Sequence, residues 1–284
     1  MKPDFQKILV PVDGSHSCLR AEQLAASIAK SFKSEVNVVH IVSHDFMHPE
    51  LKANYQLPPL VLHKLEESYM KAGEKIIQTA QEIFKEEGIT AKTELLKHED
   101  PADKILQMVK DEKYDMVVIG NRAETPVKRY SLGSVAEKIA LYAQCSVLIA
   151  KRKTKIKKLL VAIDGSEQAG KALDYAIELA QRYKGKITLM HVEEAKLFDL
   201  EPKVIKEVSA NILNDAAAKI KNIPYDKRLE IGDPAKTILD VAKEENYDLI
   251  VLGSRGLSSV KRFLLGSVSA DVSMDAHRSV LIVK

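Results

Sequence analysis

Residues 249–256 read Leu-Ile-Val-Leu-Gly-Ser-Arg-Gly, an apolar run that passes directly into a glycine-rich turn. Nine residues after that turn, the pair Gly266-Ser267 opens a stretch with helical periodicity. A short continuous apolar run is typical of a strand buried on both faces of a parallel sheet. The segment therefore predicts a strand, a loop and a helix in that order, with the free N–H groups of the helix facing the loop.

The same pattern occurs earlier in the chain. Residues 114–123 match residues 247–256, and Leu132-Gly-Ser-Val matches Leu265-Gly-Ser-Val. Upstream, Ile8-Leu-Val-Pro-Val-Asp-Gly-Ser matches Leu159-Leu-Val-Ala-Ile-Asp-Gly-Ser. A repeat over nearly the whole of 284 residues predicts two copies of one domain. We place the domains at 1–151 and 156–284.

Each copy alternates apolar runs with helical patterns, which predicts an α/β fold. Alternating strands and helices form right-handed crossovers in a doubly wound parallel sheet, here with five strands in each of two tandem domains of Rossmann-like type. Asp100-Pro101 and Asp233-Pro234 predict helix starts. The first copy also holds extra residues, which we assign to a loop over residues 46–59 with three prolines.

Composition excludes several classes of protein. The chain has 43 cationic and 40 acidic side chains and no tryptophan, so a nucleic-acid partner is not expected. Two cysteines, Cys18 and Cys145, provide no disulfide framework and are typical of a reducing compartment. No apolar run is long enough to span a membrane, and the first residues lack the features of a signal peptide. We expect a cytoplasmic protein without a membrane partner.

The residues around the loop suit an anion site. Gly253 ends the strand where a side chain would block a ligand, and Gly256 allows positive φ and close approach of the backbone. Gly266 and Ser267 open a helix whose N–H groups and dipole favour an anion. The Ser267 hydroxyl either caps this helix or donates to a phosphate oxygen, and Arg255 adds positive charge. We therefore interpret the segment as a phosphate loop.

The spacing Gly-x2-Gly-x9-Gly-Ser resembles that of the ATP-binding members of the universal stress protein family, and the resemblance extends over both halves of the chain. It implies an adenine nucleotide alpha hydrolase-like fold and ATP as the ligand, with the accompanying Mg²⁺ or Mn²⁺ left open. Asp164 would accept a ribose hydroxyl or, alternatively, cap the next helix. The residues that the resemblance assigns to the ligand are Ile163, Asp164, Val192, Gly253, Arg255, Gly256, Gly266, Ser267 and Val268.

The first copy departs from this pattern at one glycine. Ala123 stands where the second copy has Gly256, and Glu124 follows it. An alanine in left-handed geometry costs about 1–2 kcal/mol, and Glu124 would repel phosphate. We expect weaker or absent ATP binding there. The corresponding first-copy residues are Val12, Asp13, Ile41, Gly120, Arg122, Gly133 and Ser134.

Three other features have simpler explanations. Residues 151–158 carry six cations, which suits a solvated linker, with an anion-binding patch as the alternative. His40 suits a strand end with its ring satisfied by neighbours better than a metal site with His44 and His48. Cys18 suits a small buried residue better than a reactive thiolate.

The leading hypothesis is an ATP-binding protein of regulation or stress response, with hydrolysis at most slow. No catalytic constellation stands out. The alternatives are an interaction module that binds no nucleotide and, with less support, an ATP-using nucleotidyl transferase, whose histidine signatures are missing. By the family resemblance, the last strands, 146–150 and 280–283, would pair the two halves into a pseudo-dimer within one chain. A further homodimer and an unidentified protein partner stay open.

Overall fold

The computed structural model describes residues 3, 5–43, 58–121, 132–152, 155–194, 202–256 and 265–284. Within these ranges the chain alternates strands and helices from end to end. The strands are β1 Lys7–Pro11, β2 Glu35–Ser43, β3 Lys92–His98, β4 Met116–Gly120, β5 Ser146–Ala150, β6 Lys158–Ala162, β7 Lys186–Glu193, β8 Tyr225–Ile231, β9 Leu249–Gly253 and β10 Ser279–Val283. The helices are α1 His16–Phe32, α2 Pro59–Glu86, α3 Pro101–Glu112, α4 Ser134–Tyr142, α5 Glu167–Tyr183, α6 Pro202–Ala218, α7 Pro234–Glu244 and α8 Ser267–Asp275.

The ten strands form a single sheet in the order β3-β2-β1-β4-β5-β10-β9-β6-β7-β8. Within each half all pairings are parallel, and β1 or β6 lies at the centre, where the chain reverses the direction in which strands are added. The halves meet where β5 pairs with β10 antiparallel. The predicted five-stranded doubly wound sheets and the predicted pairing of the last strands are confirmed.

Both faces of the sheet are covered by helices. Successive strand residues alternate between the two layers, so Ile8 and Val10 pack with α1 and α5, whereas Leu9 packs on the side of α3, α4, α7 and α8. Each apolar cluster contains residues from both halves, which makes the core continuous across the β5–β10 pairing. In the described part of the chain, no helix has both the length and the apolar character needed to cross a bilayer.

The predicted helix starts are confirmed by their caps. The Asp100 carboxylate accepts hydrogen bonds from the N–H groups of Ala102 and Asp103, and Asp233 accepts one from Lys236. Side-chain caps of this kind contribute about 1 kcal/mol each to helix stability. Because Pro101 and Pro234 occupy the first helical position, their missing N–H groups cost no hydrogen bond.

The extra residues of the first half are not confined to the predicted loop. Helix α2 has 28 residues, whereas its counterpart α6 has 17. Pro58 is the N-cap of α2 and Pro59 is its first residue, so these two prolines start a helix where the sequence suggested a loop. Residues 46–57 of that loop lie outside the described residues.

Candidate functional site

The predicted site residues of each half lie at the carboxyl ends of its strands. In the second half they follow β6 and β9 and extend to the amino end of α8. In the first half they follow β1 and β4 and extend to α4. These central strands flank the point where the order of strands reverses, which is the usual position of ligand sites in open α/β sheets.

In the second half a backbone hydrogen bond closes the loop between β9 and α8. The Gly266 N–H donates to the Ser254 carbonyl at 2.8 Å, and the Ser254 N–H donates to the Val283 carbonyl at 2.7 Å. Gly266 is the N-cap of α8 and has no side chain to cap it. The first N–H groups of α8, starting with Ser267, therefore lie beside the start of the loop, where they can meet an anion.

Gly256 lies against the carboxylate of Asp164. A Cβ atom at Gly256 would overlap Asp164 Oδ2. The other oxygen, Oδ1, accepts the Ser166 N–H at 2.9 Å, which holds the carboxylate in place. Ser166, and not Asp164, is the N-cap of α5, so the alternative role of Asp164 as that cap is wrong.

Glycine is required at positions 253 and 256 for reasons that differ from those expected from the sequence. Gly256 is absent from the glycines with positive φ, so its requirement is space for Asp164 and not left-handed backbone. A Cβ on Gly253 would lie 2.7 Å from the Gln168 carbonyl carbon, and one on Gly120 would lie 2.8 Å from that of Ser17. The glycines at the strand ends therefore allow the first turns of α5 and α1 to approach, a role in packing that the sequence did not reveal.

A histidine fixes the edge of each site in the same way. His191 Nδ1 lies 2.7 Å from the Ile163 carbonyl, and His40 Nδ1 lies 2.6 Å from the Val12 carbonyl. The predicted satisfied role of His40 is confirmed, although His40 lies inside β2 and not at its end. His44 and His48 lie outside the described residues.

The other second-half residues lie on both faces of the sheet. Ile163 is buried in the cluster on the side of α5. Val192 and Val268 pack against the cluster on the other face. The Arg255 Cα atom would lie 3.4 Å from a Cβ on Gly266, so Arg255 borders the amino end of α8. The structure thus brings Asp164, Gly256, Arg255 and Gly266 to one place, with apolar side chains around them.

In the first half the equivalent place holds a cavity of about 350 Å³. Six of the seven residues predicted for this half line it, and the seventh, Arg122, lies outside the described residues, as does Ala123. The lining includes Val12, Asp13, Ile41, Gly120, Gly133 and Ser134. Its volume is within the range of small-ligand pockets.

Sequence reasoning missed one wall of this cavity. Pro101 and Ile105, one turn apart on α3, line it together with Ser17 and Asn121. The cap at Asp100 marks where α3 starts, but only the fold brings that first turn to the edge of β2. Asp100 follows β3 and caps α3, so the first turn of α3 lies at the carboxyl edge of the sheet. That position in the sequence was the signal that could have identified this wall of the cavity.

The floor of the first-half cavity includes a buried thiol beside a buried carboxyl group. Cys18 Sγ donates to the Pro11 carbonyl at 3.5 Å, and burial raises the pKa of this thiol well above its usual range. Burial also raises the pKa of Glu22, which is 4% exposed. A thiol held in its protonated form is a weak nucleophile, so the prediction of a small buried cysteine is confirmed.

Comparison with known proteins gives one consistent result. The model of the universal stress protein family matches residues 4–151 and 155–284. Universal stress protein YxiE of Bacillus subtilis is 37% identical over 145 residues, which cover 45% of this chain and 98% of that protein. Universal stress protein MJ0531 of Methanocaldococcus jannaschii is 30% identical over 152 residues, 53% of this chain and 85% of that protein. A solved universal stress protein from Archaeoglobus fulgidus DSM 4304 has the same fold over 98% of both chains, with a TM-score of 0.73 at 24% identity.

Proposed function

This chain belongs to the universal stress protein family as a member with two tandem domains, and we propose that it is an ATP-binding regulatory protein of the cytoplasm and the stress response. The working nucleotide site is assigned to the second half. The observation that carries this proposal is the convergence of Asp164, which follows β6, with Gly256 and the amino end of α8, which lie about ninety or more residues further along the chain.

The phosphates are assigned to the loop and the helix. The first N–H groups of α8, beginning at Ser267, point away from the helix, and the helix dipole favours negative charge at this end. Gly266 leaves their approach open because it has no side chain. Arg255, whose backbone borders Gly266, adds a positive charge to the same loop. Mg²⁺ or Mn²⁺ would accompany the nucleotide and neutralise part of its charge.

The nucleoside is assigned to the strand ends. The Asp164 carboxylate, held by the Ser166 N–H, is an acceptor for a ribose hydroxyl. Val192, near the end of β7, offers apolar surface for adenine, and Ile163, whose side chain lies in the cluster of the other face, borders the nucleoside through its backbone beside Asp164. A side chain at position 256 would displace Asp164, which explains why the loop needs glycine there.

Binding, and not turnover, is the proposed activity. The described residues of the site supply acceptors, donors and apolar surface, and none of them is placed as a base for an attacking water. Any hydrolysis should then be far slower than the roughly 10 per second of an ordinary enzyme. The nucleotide would order the loop before α8 and so change the surface that a protein partner contacts.

The test is a calorimetric titration with Mg-ATP of protein freed of bound nucleotide. The wild type is compared with Gly266→Val and with the matched first-half variant Gly133→Val. Both positions have extended backbone that valine accepts, so the fold should persist. We expect one site per chain, which Gly266→Val removes and Gly133→Val retains.

Other results would favour the alternatives. Two equal sites would mean that the first-half cavity also takes ATP despite Ala123. No binding at millimolar ATP would contradict the proposal and leave an interaction module that binds no nucleotide. Adenylate released only when a second substrate is present would indicate a nucleotidyl transferase.

A further inference from the structure

The antiparallel pairing of β5 with β10 brings the end of each half's last strand to the other half. Lys151 directly follows β5, and Lys284 directly follows β10. The two lysines occupy equivalent positions in the two copies of the domain. Both side chains cross to the opposite half.

Each lysine binds the carboxyl end of a helix in the opposite half. Lys284 Nζ donates to the Ala140 carbonyl of α4 at 3.0 Å. Lys151 Nζ donates to the Met274 carbonyl of α8, also at 3.0 Å. Carbonyls in the last turn of a helix lack partners within the helix, and a cation there interacts favourably with the helix dipole.

These are the helices whose amino ends form the two candidate sites. Helix α4 begins at Gly133-Ser134 and α8 at Gly266-Ser267, and each helix has nine residues. At 1.5 Å per residue the lysine contact lies roughly 10 Å from the candidate phosphate position. Because a nine-residue helix moves as a rigid unit, a shift at its lysine contact also shifts its amino end.

The backbone next to each lysine is joined to the site of its own half. Val283, which precedes Lys284, accepts the N–H of Ser254 in the second-half loop. Ala150, which precedes Lys151, pairs with Gly120 at the edge of the first-half cavity. Each lysine therefore connects the loop of one site to the helix of the other.

Burial disfavours the charged form of both lysine side chains. Lys151 is 3% exposed, and burial lowers its pKa to about 7, opposed by Asp275. Burial lowers the pKa of Lys284 to about 8, opposed by Cys145 and reinforced by Arg255 of the second-half loop. Because an apolar side chain would avoid this cost, the buried Lys151 and the half-buried Lys284 are retained for the helix ends that they contact and not for burial itself.

We propose that Lys151 and Lys284 are positioning residues that couple the two sites, each connecting the strand end at one site to the helix that forms the other site. This inference rests on the proposed function for the nature of the ligand. A nucleotide in the second half would fix Ser254 and, through the Val283 carbonyl that Ser254 binds, would hold Lys284 and thereby α4. By linkage, a ligand in the first half would act on the second half by the same factor.

The test is amide hydrogen exchange of the full chain with and without Mg-ATP. The variants are Lys284→Met and Lys151→Met, with Lys110→Met, an exposed lysine of α3, as the control. In the wild type we expect ATP to slow exchange in α8 and also in α4. In Lys284→Met the effect on α8 should remain and that on α4 should be lost.

Hydrogen exchange measured without ATP distinguishes a failure of this inference from a failure of the proposed function. Without ATP, Lys284→Met should speed exchange in α4 by about tenfold and leave α8 unchanged, and Lys151→Met should do the reverse. If ATP alters nothing in the wild type, the proposed function fails, and this crossed pattern still decides whether the lysines hold the opposite helices. Equal changes in both helices, no change in the helix that the lysine contacts, or an effect of ATP on α4 that persists in Lys284→Met would overturn the inference. If Lys284→Met does not fold, Lys284→Gln, which keeps a donor, replaces it with the same expectations at smaller amplitude.

Discussion

The two halves have the same contacts at the carboxyl edge of the sheet but differ in the residues of the first helix and of the last helix that face this edge. In both, a histidine lies beside the carbonyl at the end of the first strand, and an aspartate accepts the N–H of the following serine. The first half then places Cys18 and Glu22 on α1, where the second half has Ala169 and Leu173. The shared contacts give the two halves the same backbone arrangement at this edge. The residues that differ determine which ligand each half can accommodate.

The two halves also anchor the start of their last helix by different contacts. Ser269 Oγ donates to the Gly253 carbonyl at 2.7 Å, which anchors α8 to the end of β9. The first half has Ala136 at the equivalent position, and Ala136 lines the cavity. In the first half α4 is instead tied to α3, because Lys138 contacts the carboxylates of Asp100 and Asp103. Under the proposed function this difference separates a candidate nucleotide site in the second half from a cavity in the first half whose sequence lacks the second loop glycine.

Exchanging the second glycine of the loop should have the largest effect on this comparison. In Gly256→Ala the new Cβ overlaps the Asp164 carboxylate, so we expect ATP affinity of the second half to fall about 10- to 100-fold, since overpacking typically costs 1–3 kcal/mol. Calorimetry would measure the loss. In the first half, Ala123→Gly should gain affinity by a smaller factor, because Glu124 remains.

A double-mutant cycle identifies the cause of the loss. If the overlap with Asp164 is responsible, Gly256→Ala should cost little once Asp164→Ala is present. Additive losses would mean that Gly256 contacts the ligand directly. That result would assign the two halves different ligand contacts and not merely different space.

Replacing the buried carboxyl group of the first half should have the next largest effect. Glu22→Leu copies Leu173, and we expect it to raise the free energy of unfolding at pH 7 by about 1–3 kcal/mol. Because burial raises the pKa of Glu22, the wild type loses stability as the pH rises above 4.5, the ordinary value for this group. The gain should therefore shrink towards pH 4, as denaturant unfolding at several pH values would show.

The reciprocal variant is the control for that swap. Leu173→Glu places a carboxyl group beside Ala169, where no thiol is present, and should destabilise the protein strongly at pH 7. The Glu22 carboxyl group also has a hydrogen bond with the Cys18 thiol. If Glu22→Leu instead destabilises the first half, this bond contributes more to stability than the burial of the carboxyl group costs.

A lysine between the halves gives a smaller effect with the opposite pH sign. Lys151 has a pKa of about 7 in the folded protein against an ordinary value of 10.5, so between these values the unfolded chain binds more protons and stability rises with pH. Lys151→Met should flatten this rise, by on the order of 1 kcal/mol per pH unit between pH 7 and 10. Lys284→Met should act only above about pH 8. An unchanged slope in Lys151→Met would mean that Lys151 keeps its full charge in the folded protein.

Much of the fold could be predicted because its signals are local. The apolar run of β9 and the aspartate–proline pair before α7 each fix an element by chemistry within a few residues. The repeat then doubled the information, since each copy supports the assignment of the other. The position of the candidate site could be predicted from the topology, because central strands of such sheets end at the edge where ligands usually lie.

The roles of individual residues could not be predicted because they depend on distant segments. Gly253 is required by the approach of Gln168, and Gly256 by Asp164, neither of which is close in sequence. The crossing of Lys284 to Ala140 depends on the antiparallel register of β5 and β10. Sequence patterns identify residue types at such positions, but only packing shows what each side chain touches. The nucleotide contacts and the bounds 1–151 and 156–284 stay predictions.

The smallest effects should be those that the two halves share. Lys7 Nζ lies 4.4 Å from the centre of the Tyr114 ring, and Lys158 Nζ lies 4.3 Å from that of Tyr247. Because the lysine side chains are 33% and 37% exposed although both rings are buried, Lys7→Met and Lys158→Met should each lower the free energy of unfolding by only about 0.5–1 kcal/mol. The two losses should agree to within roughly 0.5 kcal/mol and add in the double variant, since the sites are far apart. A loss of stability in one half alone would show that the contacts common to both halves differ in strength. The contrast between the halves could then no longer be assigned to the site residues.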